Sequence, residues 1–98
     1  MNSLTAEQVK EKMEQGEQLN IVDVREVGEV SQGKIPGAVN IPLHLLEFRK
    51  DELDKNKNYI LVCRSGGRSG QATQFLDQYG YDVTNMEGGM MSWAGKVE

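Results

Sequence analysis

Tyr59-Ile60-Leu61-Val62 is apolar at all four positions, and this run constrains the fold more than any other stretch of the chain. A strand with one wet face alternates apolar and polar residues; a strand apolar throughout is buried on both faces, as in a parallel sheet covered by helices. The run is therefore expected to be the central strand of such a sheet. Downstream, Ala72, Phe75, Leu76 and Tyr79 recur at i, i+3, i+4 and i+7, the apolar face of a helix, and Gly80 is placed to end it.

The remaining elements fit the same architecture. Thr5 and Gln8 form a capping-box pair with Leu4 and Val9 as its hydrophobic staple, which predicts a first helix over Ala6 to Met13, ended by Gly16. Asn20-Ile21-Val22-Asp23-Val24 reads as a strand that delivers Asp23 and Arg25 to one edge of the sheet. Glu26 to Gly37 reads as loop or short helix, Ala38 to Ile41 as a second strand ended by Pro42. Leu45, Leu46, Phe48, Arg49 and Leu53 predict a short amphipathic helix before the polar turn Asp54 to Asn58, and the Asp51–Lys57 charges a solvated surface. Asp82 to Met86 reads as a further strand, and Gly88-Gly89 opens a last short helix whose Met90, Met91 and Trp93 are expected to be core residues. Strands alternating with helices imply an α/β fold whose ligands bind at the carboxyl ends of the strands.

With 98 residues, residues 1–98 are expected to form one domain with one core and one site. The formal charge of −4 argues against nucleic acid or an anionic membrane as a partner, since both require a basic face. No apolar run approaches the roughly 18 residues of a membrane span, and Met1-Asn2-Ser3-Leu4 lacks the basic, apolar start of a secretory signal, so the expected location is the cytoplasm. The single cysteine excludes an internal disulfide and a multi-cysteine metal site.

That cysteine, Cys63, directly follows the buried strand. The segment Cys63-Arg64-Ser65-Gly66-Gly67-Arg68-Ser69 then leads into the predicted helix, whose first amides have no intrahelical partner. Gly66, Gly67 and Gly70 let the backbone curl so that its N–H groups converge on the sulfur. From Tyr59 through Leu76 there is no acidic residue, while Arg64 and Arg68 are both present, so the loop reads as a vacant anion site. A lone cysteine is by composition a small buried hydrophobe. This setting instead favours the thiolate, with the thiol pKa below its free value and the sulfur nucleophilic. Arg64 and Arg68 are weighed against ordinary solvated arginines, and His44 is expected to be a surface residue.

Asp23-Val24-Arg25-Glu26, Gly33-Lys34-Ile35-Pro36-Gly37-Ala38, Asn40-Ile41-Pro42, the Cys63 loop, and Glu87-Gly88-Gly89 with Trp93 together resemble a single-domain rhodanese along nearly the whole chain. The resemblance implies a rhodanese-like α/β fold with a central parallel sheet of five strands and helices on both faces. The residue patterns supply four strands, and the fifth is expected as an edge strand near Asn2-Ser3-Leu4. It also implies a sulfurtransferase, a thiosulfate sulfurtransferase in the type activity. Cys63 would take the outer sulfur of thiosulfate or a persulfide, hold it as a persulfide and pass it to a thiol or cyanide, without metal or organic cofactor. Arg64, Ser65, Gly66, Gly67, Arg68 and Ser69 match the loop that binds the substrate, with Arg64 and Arg68 attracting a small anionic sulfur donor. A sulfur-acceptor protein is a further expected partner, and the chain is expected to act as a monomer. Where the family often has His, this chain has Lys34, read as a tolerated surface change; Asp23 and Arg25 match positions read as structural.

Two other functions share this design. A cysteine phosphatase or arsenate reductase places five residues between Cys and Arg, whereas here Arg68 comes one residue early and position 69 is Ser, so the guanidinium that clamps phosphate is out of register. A sulfur carrier, or a binding module that has lost turnover, would keep the same fold.

Overall fold

The computed structural model describes residues 1–98. Five strands, β1 (Asn2–Thr5), β2 (Asn20–Asp23), β3 (Val39–Asn40), β4 (Asn58–Val62) and β5 (Asp82–Glu87), alternate with four α-helices, α1 (Ala6–Glu14), α2 (Val27–Val30), α3 (Leu46–Arg49) and α4 (Gly67–Gln78). Short 3-10 turns lie at Leu43–Leu45, Lys50–Glu52 and Gly89–Ser92. The strands form one sheet in the order β1-β5-β4-β2-β3, and every pairing is parallel. The apolar run 59–62 thus lies in the central strand, as its composition requires. The fifth strand is the N-terminal edge strand, with Ser3 in register with Asn85.

Two apolar layers cover the sheet. Tyr59, Leu61 and Cys63 on alternate positions face one layer, shared with Val22, Val24, Leu46, Ala72 and Leu76. Ile60 and Val62 face the other, shared with Ala6, Val9, Ile21, Ile35 and Met86. Helix α4 therefore covers one side of β4 and α1 the other. Leu61 and Val62 are fully buried, each contributing about 1.5–3 kcal/mol relative to exposure. The first helix starts on its capping box: the Gln8 amide donates to Thr5 Oγ1 at 3.1 Å and the Thr5 amide to Gln8 Oε1 at 2.9 Å.

Three apolar expectations fail. Tyr79, placed on the apolar face of the helix after the Cys63 loop, lies just past the end of α4 and is 47% exposed. The segment from Leu43 to Glu52 is not one amphipathic helix but a 3-10 turn, one turn of α-helix and a second 3-10 turn. Changes of pitch over so few residues rotate successive side chains out of a common stripe: Leu46 is buried, while Phe48 is 81% exposed. Likewise Met90 and Trp93 pack against the α1-side layer, but Met91, on the same 3-10 turn, is 70% exposed.

Candidate active site

The position of the sulfur follows from strand periodicity. Cys63 continues the alternation of Tyr59 and Leu61, so its side chain points to the α4 side of the sheet. There it meets the start of α4. The Gly66 amide donates to Cys63 Sγ at 3.0 Å, and Ser69 Oγ lies 3.3 Å from the same sulfur. The residue is only 1% exposed. Burial pushes the thiol pKa up, but hydrogen bonds from the Ser69 hydroxyl and from the amides of Ser69, Gly66 and Ser65 together outweigh it, so the thiol lies below its ordinary range.

The loop is held in this shape from inside and from behind. Gly66 has φ +106°, a conformation that L side chains rarely adopt; its carbonyl accepts from the Gly70 amide at 3.0 Å, and it is also 3.2 Å from Ser69 Oγ, whose one proton goes to this carbonyl when Cys63 is a thiol and to the sulfur when it is a thiolate. Behind the loop, the Met90 amide donates to the Cys63 carbonyl at 2.8 Å and the Met91 amide to the Arg64 carbonyl at 2.9 Å. These bonds occupy the carbonyls on the outer side. The close approach depends on Gly89, whose φ is +58° and where a Cβ would fall 2.5 Å from the Arg64 carbonyl. Sequence reasoning took Gly88-Gly89 as the start of the last helix and as part of a motif of the resemblance, with no role at the Cys63 loop; the available signal was a Gly-Gly pair at the carboxyl end of a strand, where a ligand site is expected.

Arg68 departs from the vacant-anion-site expectation. No acid occurs between Tyr59 and Leu76, but Glu29 of α2 reaches the loop from 39 residues away. Its carboxylate accepts from both Arg68 Nη atoms, at 2.6 and 2.8 Å. The Arg68 guanidinium holds the Glu29 pKa down to about 2, helped by the Glu26 amide, which donates to Glu29 Oε1 at 3.0 Å. Arg64 and Ser65 are exposed, as is Gly67, whereas Ser69 is buried. The loop thus brings Ser65, Gly66 and Ser69 to the sulfur, leaves Arg64 at the surface and ties Arg68 to α2.

The neighbouring motif residues brace the site. Asp23 and Arg25 are a buried pair, with Arg25 Nη2 2.8 Å from Asp23 Oδ2 and 2.8 Å from the Gly33 carbonyl. Asn40 Nδ2 donates to the carbonyls of Asp23 and Arg25 at 2.8 and 2.9 Å, which locks the start of the segment that carries Glu29. Lys34 is more than a surface substitution: its Nζ donates to the Ala38 carbonyl and to the Glu98 carboxylate, and its backbone pairs with that of Glu98. His44 is 63% exposed, and its Nδ1 lies 3.4 Å from Glu26 Oε1.

A parallel α/β sheet here presents a lone cysteine, its thiol pKa lowered, to the amides at a helix start. The family model described as the rhodanese-like domain matches residues 5–96, and the chain belongs to that family. It is 44% identical over 90 residues to YtwF of Bacillus subtilis, named as a candidate sulfurtransferase, covering 92% of this chain and 87% of that protein. It is 38% identical over 95 residues to a sulfurtransferase of Allochromatium vinosum, covering 96% and 89%. A crystal structure of a rhodanese-like domain protein from Staphylococcus aureus superposes with a TM-score of 0.94 at 35% identity, covering 100% of this chain and 97% of that one. Membership supports sulfur transfer as the general activity. No helix is long and apolar enough to cross a membrane.

Proposed function

We propose that residues 1–98 act as one sulfurtransferase domain whose nucleophile is Cys63. The thiolate attacks the outer sulfur of thiosulfate or of a persulfide; the new S–S bond forms as the donor's S–S bond breaks, and the electron pair leaves with sulfite or with the donor thiolate. A thiol or cyanide, or an acceptor protein, then takes the outer sulfur by the same displacement in reverse. The observation that carries this reading is the set of amides and the Ser69 hydroxyl converging on a buried sulfur. It stabilises a thiolate before reaction and a negatively charged persulfide after it.

Phosphate chemistry is disfavoured on two counts. Ser69 occupies the position where a phosphatase loop needs its arginine, and the guanidinium one residue earlier is engaged by Glu29. The test is intact-mass analysis after incubation with thiosulfate or a persulfide donor. Wild-type protein gains one sulfur atom and Cys63→Ala gains none. Unmodified wild-type protein, or hydrolysis of an aryl phosphate in its place, overturns the reading.

A further inference from the structure

The four arginines of the chain are not equivalent. Arg25 pairs with Asp23, Arg49 with Glu52 and Arg68 with Glu29, and Arg64 alone has no ion-pair partner. Cys63 and Arg68 are close enough for the sulfur's charge to act on the guanidinium, yet the strongest influence on that guanidinium is Glu29. Beside the loop lies a polar hollow of about 450 Å³ whose wall includes Arg64, Glu29, Gln32 and Gly33 and contains no hydrophobic side chain. A space of that size matches a polar organic molecule and far exceeds a single small oxyanion.

We propose that Glu29 is a positioning residue that sets donor preference: by keeping Arg68 engaged it disfavours thiosulfate relative to the persulfide of a polar organic thiol. The inference rests on the sulfurtransferase reading. Thiosulfate brings two negative charges together at the reacting sulfurs, beside a thiolate, and with Arg68 engaged by Glu29 only Arg64 of the loop is left to meet them. An organic persulfide brings at most one charge to the reacting end, and its body can lie in the hollow with a carboxylate on Arg64. For either donor one S–S bond forms and one breaks, the electron pair departing with sulfite or the organic thiolate, so no outside oxidant or reductant enters.

Glu29→Gln keeps the size of the side chain and the acceptor for the Glu26 amide, but removes the charge that holds Arg68. Rates of persulfide formation on Cys63 are measured by quenched intact-mass analysis with thiosulfate and with glutathione persulfide. In wild type the persulfide donor loads the faster of the two. Glu29→Gln raises the thiosulfate kcat/KM by roughly fivefold to tenfold, mainly through KM, and changes the glutathione persulfide value by less than about twofold. A buttress without a role in specificity would move both donors by the same factor, so an unchanged ratio, a slower thiosulfate reaction, or a wild-type preference for thiosulfate overturns the proposal. If neither donor loads the wild type, the sulfurtransferase reading fails and this proposal with it; if both load and the ratio stays fixed, only the role of Glu29 fails. Glu29→Ala, for which the same direction is expected, serves if the amide variant does not fold.

Discussion

Gly89→Ala tests whether the strap behind the Cys63 loop positions the sulfur. The new Cβ would stand 2.5 Å from the Arg64 carbonyl carbon and oxygen and 2.6 Å from the Cys63 carbonyl oxygen. Ordinary contact then requires the two segments to separate by roughly 1 Å. The cost has two parts: about 1–2 kcal/mol for a β-carbon at a left-handed φ of +58°, and about 1–3 kcal/mol for forcing apart two packed backbones. The sum, about 2–5 kcal/mol, lowers Tm by roughly 10 °C or more in a domain of this length. The Met90 and Met91 amides lose their hold on the loop carbonyls, and a misplacement near 1 Å costs up to about 100-fold in rate. Thermal melting and the rate of Cys63 alkylation by iodoacetamide measure both effects. Neighbouring glycines supply the contrast. At Gly66 a Cβ meets nothing closer than 3.4 Å, so Gly66→Ala incurs only backbone strain, about 1–3 kcal/mol. At helical Gly67 nothing lies within 4 Å, so Gly67→Ala stabilises by about 0.5–1 kcal/mol. If Gly89→Ala melts and alkylates like Gly67→Ala, the strap does not position the sulfur.

Ser69→Ala removes the 3.3 Å hydroxyl contact to Cys63 Sγ but leaves the sulfur buried; the alkylation pH profile moves upward and kcat/KM at neutral pH falls about fivefold. Glu29 is depressed from the usual 4.5 to about 2, so its stabilisation is complete above the unfolded value and lost as pH falls through about 2. With a third of the side chain exposed, the advantage of wild type over Glu29→Gln in urea unfolding is about 1 kcal/mol at pH 7 and shrinks between pH 4.5 and 2. Asn85 Oδ1 is buried without a hydrogen-bond partner, and Asn85→Leu, which has the same branching, raises stability by about 1 kcal/mol in the same assay.

Legibility in the sequence followed the range of the interactions. The capping box of Thr5 and Gln8, the buried run of β4 and the Ala72, Phe75 and Leu76 face of α4 are local patterns, and each forms where its residues predict; Tyr79, the last member of that predicted face, lies past the helix end and is exposed. The Cys63 loop was legible for the same reason: strand, glycines and helix start adjoin in the chain. β1 was not readable from its four residues alone, because an edge strand that runs straight into a helix cap has no room for a period of its own; the family resemblance supplied it. The partner of Arg68 was illegible in principle, since Glu29 belongs to another crossover, and the same holds for Gly89 against Arg64 and for Lys34 against Glu98. Phe48 and Met91 show the opposite failure, where an apolar identity was taken as burial on turns too short to own a face.

Because the Met90 and Met91 amides hold the Cys63 and Arg64 carbonyls from behind, the inward side of the loop is left to N–H groups and the Ser69 hydroxyl, which also keeps its proton in ordinary buffers. Peptide amides neither gain nor lose a proton in ordinary buffers, and no histidine or lysine stands among the groups that touch the sulfur. The cradle therefore has no protonation state of its own to tune or to lose. Its response to acidity reduces to that of a single atom, and the dependence of Cys63 alkylation on pH should rise along one limb to a plateau.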